Sequence, residues 1–327
     1  MRSNSFGGKL SRLPRTLLPL LLMTAFSAPV IADPAMEWVQ KMSDAMRNLN
    51  YRGNFVYMHG NQLESMQISH IRDVNGEKER LISLNGEARE VIRDNQNLTC
   101  IWPSSRKVVV DLSRKNSFSP IFIPEDIARL EKFYDMKLIG KDRIADMETV
   151  IVHINPKDQF RYGMKFWINK QNGLMMKSSL MNERSEEIEQ VMFTSLKLLG
   201  EYEMLELDAM PKIDENYTLV RYQRGVTQVE NSEWQLENLP GGFWREAVLK
   251  RKKPDSEEIV EQMVYTDGLA SLSIFIERHT NGAHQGGSSM GAVNAFIRIA
   301  GNHSVTAIGE VPAVTVKRVA ESVSYQQ

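Results

Sequence analysis

With 40 Lys+Arg against 41 Asp+Glu in 327 residues, the chain is too near neutrality to grip nucleic acid by charge, and long enough for two domains. A single cysteine, Cys100, excludes an intramolecular disulfide, so stability must come from burial. Methionine is the outlier at 18 residues; its flexible, polarizable side chain fills irregular cores and equally suits apolar surfaces that accept ligands of varied shape.

Residues 1–32 read as an export signal. Arg2, Lys9, Arg12 and Arg15 stand without an acid, an apolar run extends from Thr16 to Ile31, and small residues precede Asp33. The run of about 16 residues is short of the roughly 20 that a spanning helix needs, which weighs against an uncleaved membrane anchor. No Cys follows it to carry a lipid, so the expectation is a soluble chain that works outside the cytoplasm. Without residues 1–32 the bases fall to 36 against 41 acids, a net charge of −5.

Asp33-Pro34 can cap and open a helix, and Trp38, Met42, Met46 and Leu49 then recur at helical spacing. From Tyr51 the period changes to two, which predicts strands near 51–59, 64–73, 78–84, 89–94, 97–102 and 107–113. Turn signals separate them at Gly60-Asn61, Asn75-Gly76, Asn85-Gly86 and Asp94-Asn95. Connections so short join antiparallel neighbours. Within 97–102, alternation puts Leu98, Cys100 and Trp102 on one face, and Cys100 reads as a small buried hydrophobe with no basic neighbour to activate it.

Pro124-Glu125-Asp126 predicts a second helix, with Ile127, Leu130 and Tyr134 on one face. Five further strands follow near 136–141, 147–155, 162–169, 174–181 and 188–199, and Asn172-Gly173 is the clearest hairpin turn. One strand face is apolar, as in Met164, Phe166 and Ile168, and the other polar, with Trp167 the exception. A sheet of about eleven strands with one apolar face must curl round a core, which makes an open barrel with an apolar interior the expected shape.

Acidic text with Pro211 marks a linker over 201–218, so 33–200 and 219–327 are the expected domains. The second is a smaller α+β unit. Its strands are predicted at Tyr217 to Arg224, Phe243 to Lys250, Glu261 to Tyr265, Ala270 to His279 and Ala295 to Ile308, before a helix that Pro312 opens.

Catalytic patterns are weak. Gly287-Ser288-Ser289-Met290-Gly291 fits the serine-hydrolase elbow, but it sits in a predicted Gly-rich loop with no helix after it, and His303 is the only later His. The histidines, His59, His70, His153, His279, His284 and His303, make no metal-binding spacing, and no nucleotide loop is present. No enzyme activity and no cofactor are expected. Lys250-Arg251-Lys252-Lys253, ahead of Pro254, is either a solvated hairpin tip or a contact for acidic groups, and Phe243-Trp244 beside Gly241-Gly242 suits a core or an interface.

Several blocks together resemble one family. They are Asp33-Pro34-Ala35-Met36-Glu37-Trp38, Tyr51-Arg52-Gly53-Asn54-Phe55, Leu239-Pro240-Gly241-Gly242-Phe243, the long run from Tyr265 to Glu277, and Gly309-Glu310-Val311-Pro312. The chain is similar in these to the RseB/MucB family of periplasmic regulators of the envelope-stress sigma factor. The resemblance implies an α+β protein, with an eleven-strand LolA/LolB-like half-barrel that has helices in its concavity and a smaller C-terminal α+β domain. It implies a partner, the periplasmic region of an RseA/MucA-type membrane anti-sigma factor, shielded from proteolysis and released by lipid or lipopolysaccharide. A periplasmic lipid or lipoprotein carrier without a regulatory partner is the alternative, and a homo-oligomer stays open. The residues themselves nominate Met42, Met46, Trp102, Phe122, Met164 and Phe166 to line a lipid cavity. Phe243, Trp244, Lys250, Arg251, Lys252 and Lys253 are nominated to meet the partner or another acidic group.

Overall fold

The structure, a computed structural model, describes residues 34–327 except 96, 113–125, 201–212, 215, 222–225, 254–255, 280–284 and 327, together with Met1 and Gly7. The chain divides into two units, Met1–Ala32 and Asp33–Gln327. The expected export signal, Phe122, Pro254, His284 and most of the expected linker lie outside the described residues.

Helix α1 (Pro34–Asn48) buries Val39, Met42 and Met46, the stripe that spacings of three and four produce. Six strands follow: β1 (Tyr51–His59), β2 (Gln62–Asp73), β3 (Gly76–Ser83), β4 (Glu90–Asp94), β5 (Asn97–Trp102) and β6 (Lys107–Leu112). After a single turn of helix, α2 (Ile127–Leu130), come β7 (Tyr134–Ile144), β8 (Met147–Pro156), β9 (Gly163–Asn169), β10 (Met175–Met181) and β11 (Glu187–Leu198). These are the eleven strands that period-two alternation predicts. They form two antiparallel meanders fused where β1 pairs with β11, in the order β6-β5-β4-β3-β2-β1-β11-β10-β9-β8-β7. The sheet is open, with β7 at one end.

At the other end the expectation needs correction. The segment from Tyr217 was assigned to the second set of strands, but β12 (Thr218–Arg221) pairs parallel with β6 and lengthens the large sheet. Pairing there satisfies the backbone edge of β6, and Tyr217 packs on an apolar cluster of Ile92, Ile101 and Val108.

The smaller sheet holds β13 (Val226–Val229), β15 (Trp244–Lys252), β16 (Ile259–Thr266), β17 (Ser271–Arg278), β18 (Gly286–Met290), β19 (Val293–Ala300) and β20 (His303–Gly309), in the order β13-β15-β16-β17-β20-β19-β18. A pair made by β14 (Trp234–Leu236) and β21 (Val323–Tyr325) lies apart from it, and helix α3 (Ala313–Glu321) precedes β21. Two readings change here. Ala295 to Ile308 is a hairpin rather than one strand, because Gly301 takes a φ of +58° and turns the chain. The Gly-rich stretch is itself a strand, β18, which pairs with β19.

Each sheet has its own core. The large one gathers α1 with Tyr51, Phe55, Ile68, Val152, Phe166 and Phe193. The small one gathers Met263, Ile274, Val305 and Ala307 with Val316 and Val319 of α3. Gly53 is required by the first core: a β-carbon there would meet the Phe193 ring at 2.7 Å.

Candidate functional site

Three places were nominated by chemistry, and the fold treats them differently. The first is the apolar face of the large sheet. Met42, Met46 and Phe166 are at most 1% exposed, Met164 is buried, and Trp102 packs half-buried against the same cluster. These five therefore share one apolar interior, with α1 lying over β2, β7 and β8 as its filling. They belong to one buried cluster, and none of them lines the groove beside α1. That groove, of about 730 Å³, is lined by Met36, Ala45, Leu49, Ile127 and Ala128 with Lys41 and Asp44. The helical period decides this, because it turns Met42 and Met46 toward the sheet and Met36 and Lys41 away. Cys100 is buried in the same core.

The second place is the basic run on β15. Lys250 pairs with Glu261 at 3.4 Å, Lys252 with Glu257 at 2.5 Å, and Lys253 with Glu258 at 3.3 Å and Glu277 at 2.6 Å. Arg251 donates to Gln262 Oε1. The Glu277 hydrogen bond raises the Lys253 ammonium above its ordinary value. The three lysines are thus paired with this chain's own acids, on β16, on β17 and just before β16, which an acidic partner would have to displace, whereas Arg251 meets a neutral amide and its buried Nε has no hydrogen-bond partner.

The third place surrounds Phe243 and Trp244, and here the structure adds residues that sequence reasoning missed. The β8–β9 loop sends Arg161, whose side chain has no exposed surface, toward the small sheet. Its Nη1 donates to Asp267 Oδ2 at 2.6 Å, its Nε donates to Asp158 Oδ1 at 3.1 Å, and its Nη2 reaches the Gly241 carbonyl. The guanidinium lies 5.0 Å from the ring centres of Phe133 and Phe243 and 5.4 Å from that of Tyr134, an aromatic box for a cation. Asp267 is equally satisfied: Oδ2 also accepts from the Tyr134 hydroxyl at 2.8 Å, and Oδ1 accepts from the Leu269 and Ala270 amides at 2.9 and 2.7 Å. Burial, then the Asp267 charge, raises the Tyr134 phenol well above its ordinary value.

The junction extends on both sides. Thr315 Oγ1 on α3 donates to the Phe160 carbonyl at 2.8 Å, and Asn294 Nδ2 donates to the Tyr162 hydroxyl at 2.9 Å. Arg129 stacks on half-buried Trp244 at 5.0 Å. Gly242 holds a φ of +90°, and a β-carbon there would sit 2.6 Å from the Phe133 ring, so the double glycine lets the backbone meet that ring. Phe243 and Trp244 thus join the two sheets. Asp267 was visible within the long block from Tyr265 to Glu277, but nothing in the sequence marks Arg161 as its partner, 106 residues away.

Ser289 of the elbow-like pattern lies on β18, where its hydroxyl donates to Asn294 Oδ1, and the chain then turns back into β19. The strained strand-to-helix turn that the pattern requires is not formed there.

Comparison with known proteins covers nearly the whole chain. The family descriptions "MucB/RseB N-terminal domain" and "MucB/RseB C-terminal domain" match residues 34–211 and 228–324. The sigma factor AlgU regulatory protein MucB of Pseudomonas aeruginosa is 30% identical, covering 94% of this chain and 96% of that one. The sigma-E factor regulatory protein RseB of Escherichia coli K12 is 25% identical, covering 92% and 94%. In the solved complex of P. aeruginosa MucA/MucB, the matching chain aligns with a TM-score of 0.72 at 26% identity over 90% of this chain and 100% of that one. A crystal structure of MucB in complex with MucA(peri) gives a TM-score of 0.69 at 28% identity, over 90% and 99%.

Proposed function

We propose, since the chain belongs to the MucB/RseB family, that it is a periplasmic regulator that binds the periplasmic segment of a membrane anti-sigma factor and so keeps an envelope-stress sigma factor inactive. The observation that carries this reading is the likeness, along almost the entire chain, to MucB as solved together with MucA. In this reading the bound segment is shielded from proteolysis, and lipid or lipopolysaccharide releases it. Release requires that the lipid bind the free protein better than the complexed one.

The packing suggests how the two events oppose each other. An acyl chain can reach Met42, Met46, Met164 and Phe166 only if α1 shifts from the sheet, starting from the groove beside it. The α1–α2 region adjoins the junction through Leu130 and Arg129, which lie against Gly268 and Trp244. A displaced α1 would therefore disturb Phe243 and Trp244, where we place part of the partner contact. Lys250 to Lys253 would supply the remainder by exchanging their own acids for those of the partner.

The test is capture of the purified anti-sigma periplasmic segment by this protein, with and without lipopolysaccharide. Capture that lipopolysaccharide reverses is the expected result. Lipid binding with no capture would favour a lipid or lipoprotein carrier instead.

A further inference from the structure

Helix α1 is tied to the large sheet at its last turn by a buried histidine. Leu49 continues the helix, its amide bonding to the Ala45 carbonyl at 3.0 Å, so its own carbonyl lies past the reach of an intrahelical donor. His70 of β2 supplies the donor: the residue is 2% exposed, and its Nδ1 lies 2.8 Å from the Leu49 oxygen. On the other side of the ring, Nε2 lies 3.2 Å from Glu77 Oε1 of β3. A peptide carbonyl only accepts, and so does an ionised carboxylate. Glu77 is ionised at neutral pH, since its carboxyl sits at about 2. Both ring nitrogens must therefore carry a proton for both bonds to form, which makes the ring an imidazolium.

The neighbouring elements set the charge around that ring. Glu79 of β3 stands directly opposite His70 in register, and Arg93 of β4 donates to Glu77 and to Glu79, each at 2.8 Å. Arg72, two residues along β2, approaches Glu77 at 3.6 Å, so the two carboxylates offset the two guanidiniums. Tyr51 of β1 stacks on the ring at 5.0 Å and stays neutral, because burial and then Glu79 and Glu77 raise its phenol well above its ordinary value. From α1, Arg47 in the last turn opposes a further cation, and the negative end of the helix dipole favours one.

We propose that His70 is a pH-operated latch on α1: the doubly protonated ring bridges the helix end to β3, and loss of one ring proton releases the helix end. The N–H that remains goes to the stronger, ionised acceptor, Glu77, and the Nδ1 lone pair then faces the Leu49 oxygen. The latched form binds one proton more than the released form. Docking of the helix end is therefore firm at low pH and weakens as pH rises through the span of about pH 5 to 8 in which histidine changes charge. That is opposite in sign to the loss that protonating Glu77 brings toward pH 2. Val39, Met42 and Met46 stay buried, which confines release to the last turn. Ala45, Asn48 and Leu49 of that turn line the groove beside α1, so the latch sets how firmly this wall is held. The latch belongs to α1 and its sheet and stands whether or not an anti-sigma segment binds.

The compact unit Asp33–Gln327 serves for the test. Proton–nitrogen NMR correlation of the His70 ring at pH 6 should find both nitrogens protonated. Amide hydrogen exchange at Leu49, corrected for the intrinsic effect of pH, should be about tenfold more protected at pH 6 than at pH 8. His70→Gln removes that step and leaves the Leu49 amide equally protected at both pH values. Glu77→Gln separates the latch from its pH dependence, because the new amide can donate to a neutral ring and leave Nδ1–H on the Leu49 carbonyl. It should keep the low-pH protection at pH 8, and with the ring spectrum it decides the matter if His70→Gln does not fold. An unprotonated ring nitrogen at pH 6, equal Leu49 protection in the wild type at both pH values, or a step that persists in either variant would each overturn the proposal.

Discussion

At the residue scale the most consequential group is Arg161, because a guanidinium without exposed surface must be compensated completely. Asp267, Asp158, Gly241 and three aromatic rings do so. Asp267→Ala strands the buried cation and is expected to cost about 3–5 kcal/mol, read as a lower urea midpoint; a loss below about 1 kcal/mol would mean water reaches the site. Glu77 gives a pH prediction. Its carboxyl sits at about 2 instead of its ordinary 4.5, held there by the His70 hydrogen bond and by Arg93, against burial. A folded-state value below the unfolded one means stability that is present above about pH 4.5 and is lost as pH falls toward 2. Acid titration of unfolding should show this loss in the wild type and less of it in Glu77→Gln.

At the element scale the strands of the large sheet were legible because each presents one apolar face, and period-two alternation survives local noise. The first helix was legible for the same kind of reason. Met46→Ala, which opens a cavity under a helix with no exposed alternative, is expected to cost about 2–5 kcal/mol in denaturant unfolding. What failed was local punctuation. Gly301 turns a hairpin between two alternating runs that were read as one strand, and β18 is a strand made of glycine, serine and methionine that pairs with β19. Of β12, the composition suggested a strand, but the choice between two sheets depends on which edge is open.

At the scale of the whole molecule, the two sheets are coupled by a buried charge network ringed by aromatic side chains. The wild type is therefore expected to unfold in one calorimetric transition, and Asp267→Ala in two, with the small sheet separating from the large one. A single unaltered transition in the variant would show that the contacts of Thr315 and Asn294 suffice without the ion pair.

The sequence by itself determined the period of the elements of the large sheet, the two-sheet plan, the burial of Cys100 and the blocks that match the MucB/RseB family, since these depend on residues near one another in the chain. Only the tertiary structure decided which methionines are sealed beneath α1, that Lys250, Lys252 and Lys253 are already paired with this chain's own acids, and that Arg161 meets Asp267. Those outcomes depend on pairs brought together from distant positions, where burial and charge act through space and leave no trace in local spacing.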